Sequence, residues 1–221
     1  NRNRGLWPGN EALVADLRHK IAALREAWPD TPLFVLAESM GAAVATIAFA
    51  DDTGAIDGLV MAAPAVWGGP AFNPLLRALL MTSASLMPRR TFTGRGLERR
   101  ASDNDAALVA LGRNPLTIVD TRLDAVAGLV RLMDAAVARA PELEVPTLVL
   151  FGERDEIIPP DIVGRFVERL DPEDCAAIVY PEGWHLLLRD LQRERVWQDI
   201  VAWLDGEVPA PAEPCGEVEA G

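Results

Sequence analysis

Four short runs of unbroken apolar residues set the fold class of this 221-residue chain: Leu33 to Ala37, Gly58 to Ala63, Thr147 to Phe151 and Ala176 to Tyr180. A strand with one wet face alternates apolar and polar residues. A parallel strand covered by helices on both faces has no polar position to keep, and it reads as a continuous run of this kind. Helical patterns separate the runs. Leu13, Leu17, Ile21 and Leu24 recur at three to four residues between Asn10 and Trp28, which predicts an amphipathic helix with Asn10 as its N-cap. Pro29 and Pro32 end it. Small residues from Ala42 to Ala50 predict a helix able to pack closely on a sheet, and further helices are expected over Asp161–Leu170 and Leu191–Leu204. Strands alternating with helices predict an α/β fold, a mostly parallel sheet with right-handed crossovers.

Between Pro64 and Pro141 that rhythm breaks. Leu75-Leu76, Leu79-Leu80-Met81 and Leu86-Met87 are followed by Gly- and Arg-rich turns and by a helical stretch from about Thr121 to Ala140, without a buried-strand signal. The expected organisation is therefore a core half over 1–63, a helical insertion or cap over 64–141, and a second core half over 142–205. A solvated tail is expected over 206–221, where Pro, Glu, Ala and Gly dominate.

Charge narrows the partners. The formal net charge is −12, and without a basic face to meet phosphates a nucleic-acid partner is excluded. No apolar run approaches the roughly 18 residues needed to span a bilayer, so the chain is expected to be soluble. It begins with Asn1, which predicts that sequence is missing upstream. Cys175 falls in a predicted strand and Cys215 in the tail, a placement that suggests neither a disulfide framework nor a metal site.

Ser39 stands where the first apolar run ends and the small-residue helix begins, with Ala37 two residues before it and Gly41 two residues after. A sharp strand-to-helix turn lifts the serine oxygen above the sheet and aims the next backbone N–H, that of Met40, at a developing oxyanion. Small flanking residues serve such a turn because the chain passes close to itself. An N-cap serine is the competing reading of this pentapeptide. Asp155 follows the third run and His185 the fourth, both just past a strand C-terminus, the edge where sites form in open parallel sheets. In that arrangement His185 takes the serine proton and Asp155 orients the imidazole. His19, the other histidine, lies in the first helix beside Arg18 and Lys20 and reads as a surface residue. Glu153, Glu156 and Asp190 compete with Asp155, though none keeps its offset from the strand as well. Glu38, Trp67 and Trp184 are expected to border a pocket, Glu38 alternatively making a local hydrogen bond.

The order Ser, Asp, His is that of an α/β-hydrolase. The chain resembles the monoacylglycerol lipase and lysophospholipase branch of that superfamily, also described as serine aminopeptidase-like. The resemblance runs nearly end to end through Arg4-Gly5-Leu6-Trp7-Pro8-Gly9, Glu38-Ser39-Met40-Gly41, Ala63-Pro64-Ala65, Val145 to Gly152, Asp155-Glu156-Ile157-Ile158-Pro159 and Gly183-Trp184-His185. Ser39 and Asp155 are 116 residues apart, and Asp155 and His185 are 30 apart. That spacing suits a branch whose cap lies between serine and aspartate.

The resemblance implies hydrolysis of carboxylic esters of glycerol or lysophospholipid through an acyl-enzyme on Ser39, without metal or organic cofactor. It also implies an apolar cap that receives the acyl chain and can touch a membrane surface. Two positions depart from the pattern. Ala37 replaces the usual glycine, a change the turn is expected to tolerate. Only 38 residues precede Ser39, leaving no room for the front strands or for the His-Gly loop that supplies the second oxyanion N–H. The chain then corresponds to a fragment of a larger hydrolase, with Leu33 to Ala37 as an exposed sheet edge and with impaired activity. An acyltransferase or small peptidase on the same three residues, and a non-catalytic lipid- or partner-binding module, are the competing functions.

Overall fold

The computed structural model describes residues 4–50, 54–69, 73–93, 99–171, 173–210 and 212–217. The four apolar runs form β1 (Phe34–Glu38), β2 (Gly58–Ala62), β5 (Thr147–Gly152) and β6 (Cys175–Tyr180). They pair in parallel in the order β1-β2-β5-β6. The shared direction brings the C-terminal ends of all four to one edge. Strand β1 is the outer member, and Leu36 at its centre is 52% exposed, as a strand with one uncovered side must be.

Period-two geometry divides the buried strand residues between two layers. Leu59, Met61, Val149, Phe151 and Ala177 face one side. There they meet α1 (Asn10–Ala27), α2 (Met40–Phe49), α5 (Leu123–Arg139) and α6 (Pro160–Val167). Val60, Leu148, Leu150, Ile178 and Tyr180 face the other side and pack on Leu187 and α7 (Arg193–Leu204). The small-residue helix lies closest: Ala42, Ala43, Ala45 and Ala48 are fully buried.

Four expectations need correction. Asn10 is not the cap of α1; Gly9, at φ +97°, takes that position without a side-chain hydrogen bond, and its carbonyl accepts from Leu13. The helix at the end of the expected cap belongs to the core, because Val130, Leu132, Met133 and Ala136 of α5 are buried with α2. A second stripe of α5, Leu123 and Ala127, packs on α3 (Pro74–Leu86). The segment outside the core layers therefore consists of α3, β3 (Thr91–Thr93), α4 (Asp105–Arg113) and β4 (Asp120–Arg122). Strands β3 and β4 form an antiparallel ribbon that no apolar run announced.

The last correction concerns the tail. Residues beyond Gly206 return to the sheet as β7 (Glu213–Pro214), antiparallel to β6. Cys215 is fully buried and bonded to Cys175, 40 residues earlier, so the two cysteines do form a disulfide. Two residues of strand cannot hold a chain end alone, and the covalent link supplies what pairing lacks. Closing a loop of this size restricts the unfolded chain by roughly 2–4 kcal/mol. Reduction, or Cys215→Ser, should lower the urea midpoint by the corresponding amount, which paired unfolding curves with and without reductant will measure.

Candidate active site

Ser39 occupies the junction of β1 and α2 at φ 52° and ψ −116°. A positive φ is uncommon for a residue with a Cβ and stores strain. Three hydrogen bonds hold it. The Ser39 N–H donates to Ala62 O at 2.9 Å, and the Ser39 carbonyl accepts from Ala42 N and Ala65 N at 3.0 Å each. The backbone that closes over the serine is itself bent, with Ala63 at φ 45° and its N–H donating to Leu150 O at 2.7 Å. The serine is thus a fixed turn and not a side-chain cap, since it makes no capping hydrogen bond. Ala37 is accommodated as expected: a Cβ added at Gly41 would still stand 4.0 Å from the Ala37 Cβ.

Asp155 and His185 reach the same edge from β5 and β6. The loops that carry them are in backbone contact. A Cβ on Gly152 would fall 2.2 Å from the Gly183 carbonyl, while Arg154 N donates to that carbonyl at 2.9 Å and Glu153 N donates to Tyr180 O at 3.1 Å. His185 Nδ1 lies 2.7 Å from Asp155 Oδ2, and Nε2 lies 2.9 Å from Ser39 Oγ. With the ring proton on Nδ1, the imidazole donates to the carboxylate and accepts from the hydroxyl. Asp155 and His185 are both buried. The second Asp155 oxygen accepts from Ile157 N at 2.7 Å and Ile158 N at 3.0 Å, so both oxygens of the buried carboxyl group have partners. Such a chain can pass the serine proton to the imidazole and stabilise the resulting cation.

Met40 opens α2, so its N–H is one of the first amides that lack an intrahelical acceptor. Glu38 is half-buried: Oε2 stands 4.0 Å from the Arg189 guanidinium, and Oε1 is buried with no hydrogen-bond partner among the described residues. The local hydrogen bond expected of it is not formed among the described residues. Trp184 is half-buried beneath Arg100, whose guanidinium carbon lies 5.7 Å from the ring centroid. Trp67 packs against the main core. A cleft of about 430 Å³ between α5 and α6 is lined by Val66, Gly68, Val137 and Phe166 among others, and by none of the residues named for the site. His19 is exposed on α1, as expected. Among the described residues no three His, Cys, Asp or Glu side chains cluster as a metal site requires, and no helix is long and apolar enough to cross a membrane.

Asp190 is a buried carboxylate of another kind. Burial pushes its pKa up, and the charges of Asp103 and Asp155 add to this against hydrogen bonds from Ser102 and the Trp184 amide. Its spacing from His185 was visible in the sequence. Ser102, buried beside it, carried no signal.

A parallel sheet flanked by helices, with Ser, Asp and His meeting at its C-terminal edge in that chain order, is the α/β-hydrolase arrangement. Solved structures bear out the fold. The Saccharomyces cerevisiae monoglyceride lipase, a soluble variant in complex with a substrate analog, superposes with a TM-score of 0.75 at 19% identity, over 95% of this chain and 74% of that one. The Paleococcus ferrophilus monoacylglycerol lipase gives 0.72 at 23% identity, over 87% and 75%. In sequence, the Mycolicibacterium smegmatis monoacylglycerol lipase is 26% identical over 193 residues, 86% of this chain and 68% of that protein. Residues 1–192 match the family described as Hydrolase_4, serine aminopeptidase, S33, and the chain belongs to that family.

The strain at residue 39 gives a stability test independent of turnover. Glycine adopts positive φ freely, so Ser39→Gly should be more stable than Ser39→Ala by about 1 kcal/mol. Thermal melts of the two variants will show the difference.

Proposed function

We propose that this chain hydrolyses carboxylic esters of lipids, monoacylglycerol or lysophospholipid, through an acyl-enzyme on Ser39. The observation that carries the reading is the continuous hydrogen-bonded chain from Ser39 through His185 to Asp155. Ser39 Oγ attacks the ester carbonyl while His185 Nε2 takes its proton, and the Met40 N–H faces the oxyanion. His185 returns the proton to the leaving alcohol. Water then attacks the acyl-enzyme by the same route and releases the carboxylic acid. Asp155 holds the imidazole tautomer and balances its transient charge.

Substrate class rests on the relatives and on the cap. Two similar proteins are named monoacylglycerol lipases and a third a monoglyceride lipase. Helix α3 exposes Leu75 at 78%, Leu79 at 63% and Leu86 at 75%. That apolar face suits a long acyl chain or contact with a lipid surface, whereas the net charge of −12 offers anionic lipids no attraction. A peptidase reading draws on the family description, but the cap leucines favour acyl chains over peptides. Turnover by residues 1–221 alone is expected to be slow. Among the described residues the one element before β1 is α1, so the second oxyanion donor of the resemblance has no counterpart there, and losing one such donor costs about a hundredfold to a thousandfold.

A fluorophosphonate probe should label wild type at Ser39 and leave Ser39→Ala unlabelled. Asp155→Asn should lower kcat on a short-chain ester by about ten-thousandfold. Monoacylglycerol esters of increasing chain length should outperform an aminoacyl anilide. Equal labelling of wild type and Ser39→Ala would remove the serine mechanism, and silence of both would favour a binding module.

A further inference from the structure

The chain from Ser39 to Asp155 leaves the Asp190 carboxylate unused, and its partners show what it does. Asp190 and Ser102 are both fully buried. The Ser102 hydroxyl donates to Oδ1 at 2.6 Å, and the Trp184 N–H donates to Oδ2 at 2.8 Å. Trp184 immediately precedes His185. On the other side of His185, the Leu186 N–H donates to Ala101 O at 2.9 Å, and the Leu186 carbonyl accepts from Asp190 N at 3.0 Å. The backbone of His185 is therefore gripped at both neighbours, by Asp190 before it and by residue 101 after it. Residues 101 and 102 lie in the segment between β3 and α4, outside the core layers.

That segment ties down the rest of both loops. The Asn104 amide donates to Arg189 O at 2.8 Å, and Leu191 N donates to Asp103 Oδ1 at 2.9 Å. Arg100 N donates to Glu156 Oε2 at 2.6 Å, one residue beyond Asp155, while Arg100 Nε donates to Ser102 O at 2.7 Å. One strap thus touches the aspartate loop and the histidine loop together.

We infer that Asp190 is the positioning residue for His185, and that Ser102, delivered by the segment between β3 and α4, completes the clamp that keeps the imidazole in line with Ser39 and Asp155. This rests on the hydrolase reading. Asp190 does not replace Asp155 as the acid, because its two oxygens are taken by a hydroxyl and a backbone amide while Asp155 holds Nδ1. A buried carboxylate is costly to keep, and for packing alone apolar residues of similar volume are often as good or better. Its two directed bonds supply orientation.

The test compares wild type with Asp190→Ala, Asp190→Asn, Ser102→Ala and Asp155→Asn, all in a His19→Gln background so that His185 is the one histidine left of two. Turnover of a short-chain ester is read beside the low-field proton resonance of His185 Nδ1–H. Asp190→Ala should lower kcat about tenfold to a hundredfold, with KM little changed, and broaden or abolish the resonance. Asp190→Asn, which still accepts from Trp184 and can donate to Ser102 Oγ, should restore both. Ser102→Ala should show the same pair of effects more weakly. Wild-type kcat and an intact resonance in Asp190→Ala would overturn the clamp. So would Asp190→Asn as inactive as Asp155→Asn, since the charge itself would then be needed. Should Asp190→Ala fail to fold, Ser102→Ala decides by the same two readouts. A wild type that neither turns over the ester nor is labelled by the fluorophosphonate probe would sink the ester-hydrolase reading alone, because the resonance reports on the clamp without catalysis.

Discussion

Two glycine backbones in contact determine where the site can form. Gly152 ends β5 and Gly183 lies in the turn after β6, and their approach leaves no room for a Cβ on either. Parallel pairing already puts these strand ends side by side, from Thr147 opposite Cys175 to Gly152 opposite Tyr180. The glycine contact then brings the two departing loops together, so that Asp155, three residues beyond Gly152, meets His185, two beyond Gly183. A side chain at either position would wedge the loops apart by more than a hydrogen bond tolerates. The serine comes from the opposite direction, two strands away, and its strained turn is held by bonds to β2 and to the residues after it. Each member of the chain is thus placed by backbone geometry before side-chain chemistry acts.

Electrostatics explains why burial of this constellation is tolerated. A buried carboxyl group is costly unless its oxygens find partners. Asp155 has both oxygens engaged, by two amides and by the imidazole. Asp190 is engaged as well, by one hydroxyl and one amide, yet its pKa is raised because burial and two nearby carboxylates outweigh those bonds. Two acidic groups flank one histidine with different surroundings. The one that touches the ring can serve as its counter-ion, and the other shapes the backbone that carries it.

How much of this could be read from the residues follows from where the information lies. Unbroken apolar runs marked β1, β2, β5 and β6 because each strand carries its own burial pattern. The ribbon of β3 and β4 has three residues per strand, and β7 has two, too few for a period to show. The link between Cys175 and Cys215 was hidden because the two lie 40 positions apart with a whole helix layer between them, and adjacency across a sheet is not a local property. Helix α5 was legible as a helix but not as core. Its place depends on Gly128, where Trp7 packs so closely that a Cβ would fall within 2.5 Å of the ring. Ser39, Asp155 and His185 were legible because their offsets from strand ends are short. Ser102 stands in no such offset, and only folding brings it 2.6 Å from a residue 88 positions away.

The segment outside the core is consequently not a separate unit resting on a finished site. Its first helix is bound to α5 by Arg77, which donates to Asp134 at 2.7 Å, while the Gly69 N–H donates to the same oxygen at 2.7 Å. Its middle, residues 99–104, is bonded to both loops that carry the site. Its exposed apolar residues include Leu75, Leu79 and Leu86 on α3, away from those attachments in sequence. One stretch of chain therefore offers an apolar face and, some twenty residues later, supplies the buried hydroxyl against which the histidine loop is set. Sequence change in that stretch acts on both at once, so the exposed apolar face and the setting of the histidine loop are physically coupled in this fold.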